Sequence, residues 1–192
     1  MTDDIRKKWD QKYREADQQQ GAAVEVLREN LHLLPRQGKG LELACGLGAN
    51  ALLLGVQGLE THAWDLSPVA IDRLKELARE RGLNMHCEAR DILRQPPEPD
   101  SFDVIVVSYF LDRMLIPDIK NALRSNGLVF YQTFTRTRVS DAGPQNEDFR
   151  LADNELLKLF SGMHIILFRE EGRIGDLESG LRDEACIIAQ KR

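Results

Sequence analysis

Ala44, Gly46 and Gly48 stand at alternate positions after the run Leu41-Glu42-Leu43, and a helical pattern begins at Ala49. This is how a strand turns sharply into a helix while leaving backbone N–H groups free to face a ligand. Small residues are needed because a larger side chain would hold the ligand off the backbone. Asp65 and Asp91 fall at the ends of the next two predicted strands, and Glu42 lies inside the first. An ionised carboxylate accepts two O–H donors at once, which suits a ribose at Asp65. The glycines alone do not choose the ligand. Gly46-Leu47-Gly48-Ala49-Asn50-Ala51 also fits the dinucleotide fingerprint G-x-G-x-x-A, with Asp65 at a suitable distance beyond it.

The elements that must position these residues alternate along the chain. Residues 3–16 are charged and helical in propensity, and Val24, Leu27, Leu31 and Leu34 predict a second helix closed by Pro35. Strands are expected at Leu41–Ala44, Leu59–Asp65, Asn84–Glu88, Phe102–Ser108 and Leu128–Phe134, then at Met163–Phe168 and Ala185–Ala189. Helices are expected from Ala49 to Val56 and from the Ser67-Pro68 cap to near Gly82. Another follows through Ile116, Ile119 and Leu123, and one near Asp153 to Phe160. Ser125-Asn126-Gly127 reads as the turn between the Ile116 helix and the strand at Leu128. Such alternation predicts an α/β fold: a doubly wound, mostly parallel seven-stranded sheet with helices on both faces and an antiparallel last strand. Ligands then bind at the carboxyl ends of the strands, where strand order reverses.

At 192 residues the chain is expected to form a single domain. Its parts are an N-terminal helical cap (1–38), a cofactor-binding core (39–135) and a substrate-side part (136–192). Apolar residues at 42% and charged residues at 30% describe a globular protein, and no apolar run approaches the roughly 20 residues that span a bilayer. No signal core precedes residue 9, so a cytoplasmic location is expected, without membrane association. Cys45, Cys87 and Cys186 lack paired spacing, which points to free thiols and to no metal site. A net charge of −5 tilts against nucleic-acid binding.

On these residues the chain resembles a class I S-adenosylmethionine-dependent methyltransferase, of the small bacterial type that includes the tellurite-resistance and thiopurine methyltransferase-like enzymes. Glu42-Leu43-Ala44-Cys45-Gly46-Leu47-Gly48 is similar to the family's acidic glycine loop, with Ala44 in place of the first glycine. The resemblance implies S-adenosyl-L-methionine as cofactor and S-adenosyl-L-homocysteine as product. It implies that Glu42, Ala44, Cys45, Gly46, Gly48 and Asn50 surround the methionine part of the cofactor. Asp65 and Leu66 would then meet the ribose, and Asp91 and Ile92 the adenine. Ser108 would stand where cofactor and substrate meet, and Trp9 and Tyr13, in Trp9-Asp10-x-x-Tyr13, would cap the cofactor.

In-line methyl transfer needs orientation and a dry pocket more than acid–base equipment. A base is required only where the acceptor holds its proton firmly, as an amine or hydroxyl does and a thiolate, selenite or tellurite does not. Tyr109, Asp112 and Tyr131 are the candidates by strand position, and Tyr109, Arg113, Arg136 and Arg138 are candidates for substrate contact. Ser108-Tyr109-Phe110-Leu111 departs from the Asn/Asp-Pro-Pro-Tyr/Phe pattern of adenine and glutamine methylation. No proline precedes a cysteine, as cytosine-C5 methylation would require, so a small-molecule acceptor is expected. The long connection Thr135 to Arg150 is expected to form part of the substrate pocket or a lid. His32, His62, His86 and His164 are scattered and receive no role. Two other readings stand beside this one: a cofactor-binding protein without catalysis, and an NAD-dependent oxidoreductase.

Overall fold

A strand covered on both faces must be apolar at nearly every position, and Val104, Ile105, Val106 and Val107 are all without solvent exposure. They lie in the central strand β4 (Phe102–Ser108) of a computed structural model that describes residues 2–16 and 21–192. Around it run β1 (Lys39–Leu43), β2 (Glu60–Asp65), β3 (Met85–Ala89), β5 (Leu123–Phe134), β6 (His164–Glu170) and β7 (Glu184–Gln190). The sheet order is β3-β2-β1-β4-β5-β7-β6. The five strands from β3 to β5 pair in parallel. The last strand, β7, runs antiparallel to both its neighbours.

Helices cover both faces. On one, α2 (Glu25–Arg28), α3 (Ala49–Val56) and α4 (Pro68–Glu80) bury Leu27, Leu54, Ile71 and Leu74. On the other, α5 (Ile116–Ala122) and α6 (Glu155–Leu159) bury Ile119 and Leu156 against Ile105, Val107 and Tyr131. The amphipathic α1 (Thr2–Glu15) lies against α4.

Two elements differ from the periodicity. The helix expected through Val24 to Leu34 is one turn of α-helix followed by a 3-10 turn at Leu31–Leu33. The Asn30 side chain donates to the Val26 carbonyl at 2.9 Å. It thereby takes the acceptor that a continuing helix would use, the usual way a short polar side chain interrupts one. Ser125-Asn126-Gly127 is a bulge within β5, not a turn before it: Leu123 already pairs with Phe102, and Leu128 with Val104. Asn126 takes φ 66° there, and a Cβ on Gly127 would stand 2.9 Å from the Arg124 carbonyl oxygen. Backbone this close leaves room only for glycine.

Candidate cofactor and acceptor site

The chain leaves β1 toward β2 and β3, then returns to β4 on the other side of β1. The crevice of an open α/β sheet lies at that reversal, between the carboxyl ends of β1 and β4. The residues just beyond those two ends, Ala44 (φ 51°) and Tyr109 (φ 54°), are both non-glycine residues in the left-handed region. Strain of this kind persists where surrounding structure imposes it, and it clusters at ligand sites.

Two buried carboxylates hold the glycine loop. Glu42 accepts from Asn50 Nδ2 and from the Ala51 N–H, each at 2.7 Å. Burial pushes its ionisation up to about 8 against these two bonds. Asp65 accepts from the Gly46 N–H at 2.7 Å and the Ser67 N–H at 2.8 Å, and burial raises its pKa as well. Ser67 itself caps α4 by accepting from Ala70 N. Asp65 is therefore a structural clasp between β2 and the loop, a duty that its position at a strand end does not reveal. Gly46 and Gly48 both have positive φ. A Cβ on Gly46 would come within 2.8 Å of Tyr13 Oη, and one on Gly48 would strike Leu74.

Tyr13 reaches the loop from α1. The Ser67 hydroxyl donates to Asp10, Arg73 donates to the Tyr13 carbonyl, and Trp9 stacks on Tyr13 at 5.6 Å between ring centroids. Burial, then the charges of Asp65, Cys45 and Glu42, raise the Tyr13 phenol far above its ordinary value. Cys45 is buried beside the loop, and Leu66 is half-buried. Asn50 also donates to Ser108 Oγ at 3.0 Å and accepts from Val24 N at 2.9 Å, so it ties α3 to β4 and to the chain before α2. Asp91 stands two residues beyond β3, accepting from Leu93 N at 3.2 Å within its own turn. Ile92 is buried in the apolar cluster that contains Trp64 and Leu111.

On the acceptor side, Tyr109 is half exposed, with its ring 5.1 Å from that of Phe134. Its hydroxyl bonds Glu184; burial first and then that carboxylate push its ionisation up to about 12. Gln132 donates to Glu184 at 2.7 Å and accepts from Val26 N at 2.9 Å. Burial raises the pKa of Glu184, and the acids Glu25 and Asp183 add to the rise. Glu184 is thus a half-buried carboxylate held by neutral donors, missed in sequence because β7 reaches β4 only by way of β5.

Other candidates are corrected. Tyr131 is fully buried on the opposite face and donates to the Phe110 carbonyl at 2.7 Å, so its hydroxyl is part of the core. Asp112 accepts from Met114 N at 2.8 Å and caps the 3-10 turn Arg113–Leu115. Arg113 forks onto Glu155 at 2.6 and 3.0 Å and onto the carbonyls of Asp148 and Arg150, which makes it a brace for the following loop. Arg136 is exposed and Arg138 half-buried; their side chains face Glu147 and Gln145 within that loop. The loop itself is fastened at two points. Arg150, only 1% exposed, donates to the carbonyls of Thr135, Ala142 and Pro144. Asp183 accepts from the N–H groups of Val139 and Ser140 and from the Ser140 hydroxyl.

These residues suit a cationic ligand better than a pyrophosphate. A dinucleotide lays its phosphates on the first N–H groups of the helix after the loop, yet Glu42 already occupies the Ala51 N–H. Two buried acids beside the loop, in their ionised form, would repel phosphate charge and attract an ammonium or a sulfonium. A seven-stranded sheet with β7 reversed, and an acid-flanked glycine loop at its switch point, describe the Rossmann-like methyltransferase fold.

Residues 41–127 match a family model described as "Methyltransferase domain". The chain is 28% identical over 167 residues to the "Probable S-adenosyl-L-methionine-dependent methyltransferase TehB" of Haemophilus influenzae, a match covering 80% of this chain and 57% of that one. It thus spans little more than half the length of that relative. The crystal structure of TehB from the same organism superposes with a TM-score of 0.71 at 23% identity, over 96% of this chain and 67% of that one. A structure described under "Conversion of a Disulfide Bond into a Thioacetal Group during Echinomycin Biosynthesis" gives 0.72 at 21% identity, over 97% and 92%. The chain is thus similar in sequence and fold to TehB, and its residues 41–127 match a methyltransferase domain model. Among the described residues no helix is long and apolar enough to cross a membrane.

Proposed function

We propose that the protein transfers a methyl group from S-adenosyl-L-methionine to a small-molecule acceptor. The observation that carries this reading is the pair of buried carboxylates at the switch point, Asp65 bonded to the backbone of the glycine loop and Glu42 to the first turn of the helix that follows it. Similarity to the TehB methyltransferases supports it. When bound, the cofactor supplies a methyl group made electrophilic by its sulfonium. Glu42 and the loop from Ala44 to Gly48 would hold its amino-acid end, Asp65 would accept from the ribose, and Asp91 would meet the adenine. Tyr13, stacked on Trp9 and close to Gly46, would cover the loop against water.

Tyr109, Gln132 and Glu184 frame the acceptor end. A carboxylate held there by neutral donors suits an acceptor that must lose a proton, such as an amine, and disfavours an oxyanion. Formation of S-adenosyl-L-homocysteine over a panel of amines, hydroxyls, thiols and chalcogen oxyanions tests the reading. Turnover with one of these classes is expected, with amines leading. Tight cofactor binding without turnover on any acceptor would favour a sensor or assembly role instead.

A further inference from the structure

We propose that Glu60, His62 and His86 form a binding site for a divalent transition-metal ion of the zinc class, on the open sheet face at the β2–β3 edge. The two histidines lie far apart in sequence but are direct partners in the parallel β2–β3 register. Glu60 lies two residues before His62 on the same strand, so its side chain shares that face. One ligand atom from each residue falls within 4.8 Å of the others. Glu60 Oε1 stands 3.4 Å from His62 Nε2 and 3.8 Å from His86 Nε2.

Metal–ligand distances near 2.0–2.2 Å place neighbouring ligand atoms of a tetrahedral zinc ion roughly 3.3–3.5 Å apart. Small side-chain rotations close the remaining gap, and the half-exposed His86 and Glu60 are free to make them. The imidazoles already stack at 4.6 Å with planes 21° apart, and His62 is steadied edge-on by Phe102. Three protein ligands leave the fourth position to water. β3 is the edge strand, so the ion would clasp it to β2. A competitor is Lys39, whose Nζ lies 3.2 Å from Glu60 Oε1 and must turn away when an ion enters.

The test is zinc and cobalt titration of the full chain, read by calorimetry, melting temperature and the visible spectrum of bound cobalt. One ion per chain, a rise in melting temperature and tetrahedral cobalt bands are expected. His86→Ala and Glu60→Gln should each weaken binding at least tenfold, and Lys39→Met should tighten it. Cys87→Ser is expected to change nothing, since Cys87 points to the other face. The proposal is overturned if no ion binds, if His86→Ala and Glu60→Gln bind as the parent does, or if Cys87→Ser abolishes binding.

Discussion

The Asp65 carboxylate accepts the backbone N–H of Gly46 at 2.7 Å. The end of β2 therefore shapes the loop that follows β1, and the residue proposed to meet a ribose also sets the curvature of that loop. Its second oxygen bonds Ser67 N, which reaches through the Ser67 hydroxyl to Asp10 on α1. The glycine loop, the end of β2 and α1 form one connected unit.

Asp65→Asn should lose more than a ribose contact, because a single amide oxygen cannot serve both N–H groups. Affinity for S-adenosyl-L-methionine is expected to fall by about 1.5–3 kcal/mol, the range for hydrogen bonds to a charged group. Titration calorimetry on the folded variant checks this. Unchanged affinity would make Asp65 purely structural.

Glu42 ionises at about 8 because it is buried. Its native pKa lies above the unfolded value, so its contribution to stability is full below the ordinary carboxylate range. That contribution is lost as pH climbs through about 8. A cationic ligand favours the ionised form, so cofactor binding near neutral pH should release protons. Binding enthalpies measured in buffers of different ionisation enthalpy should differ for the parent and converge for Glu42→Gln. Buffer-independent enthalpy in the parent would remove Glu42 from the cofactor's field.

Arg150 holds three loop carbonyls from a fully buried position. Arg150→Met leaves them without a donor, at a cost on the order of 3 kcal/mol. In a chain of this size that lowers the melting temperature by roughly 6–12 °C. Limited proteolysis should then cut between Thr135 and Arg150, where the parent resists. Equal resistance in both would mean that other contacts fasten the loop.

Glu184→Gln should slow transfer to amines by about 10²–10⁴-fold, the range for lost acid–base assistance. Cofactor affinity should stay unchanged, because Glu184 lies beyond the residues proposed to hold the cofactor. The acid limb of the rate profile should vanish with it. A loss confined to cofactor affinity would contradict this placement.

The alternation of strands and helices, the switch point and the glycine loop are legible in sequence because each rests on local patterning. Val104 to Val107 announce a doubly covered strand, and Ser67-Pro68 a helix start. Residues whose work depends on distant partners are not legible. Tyr131 reads as a candidate base by its strand position, yet its place in the alternation of β5 turns it into the core. Arg113 reads as a substrate arginine until Glu155 arrives from α6. Glu184 and the His62–His86 pair appear only once strand order and register are known. The helix lost at Asn30 shows the converse, one local side-chain bond overriding a sound hydrophobic period.

Calorimetric titration of the full chain with S-adenosyl-L-methionine, S-adenosyl-L-homocysteine and NAD tests the central claim most directly. Saturable binding of both adenosyl ligands, weakened by Asp65→Asn, with no heat from NAD, is the predicted result. Binding of NAD in the absence of binding by either adenosyl ligand would contradict it.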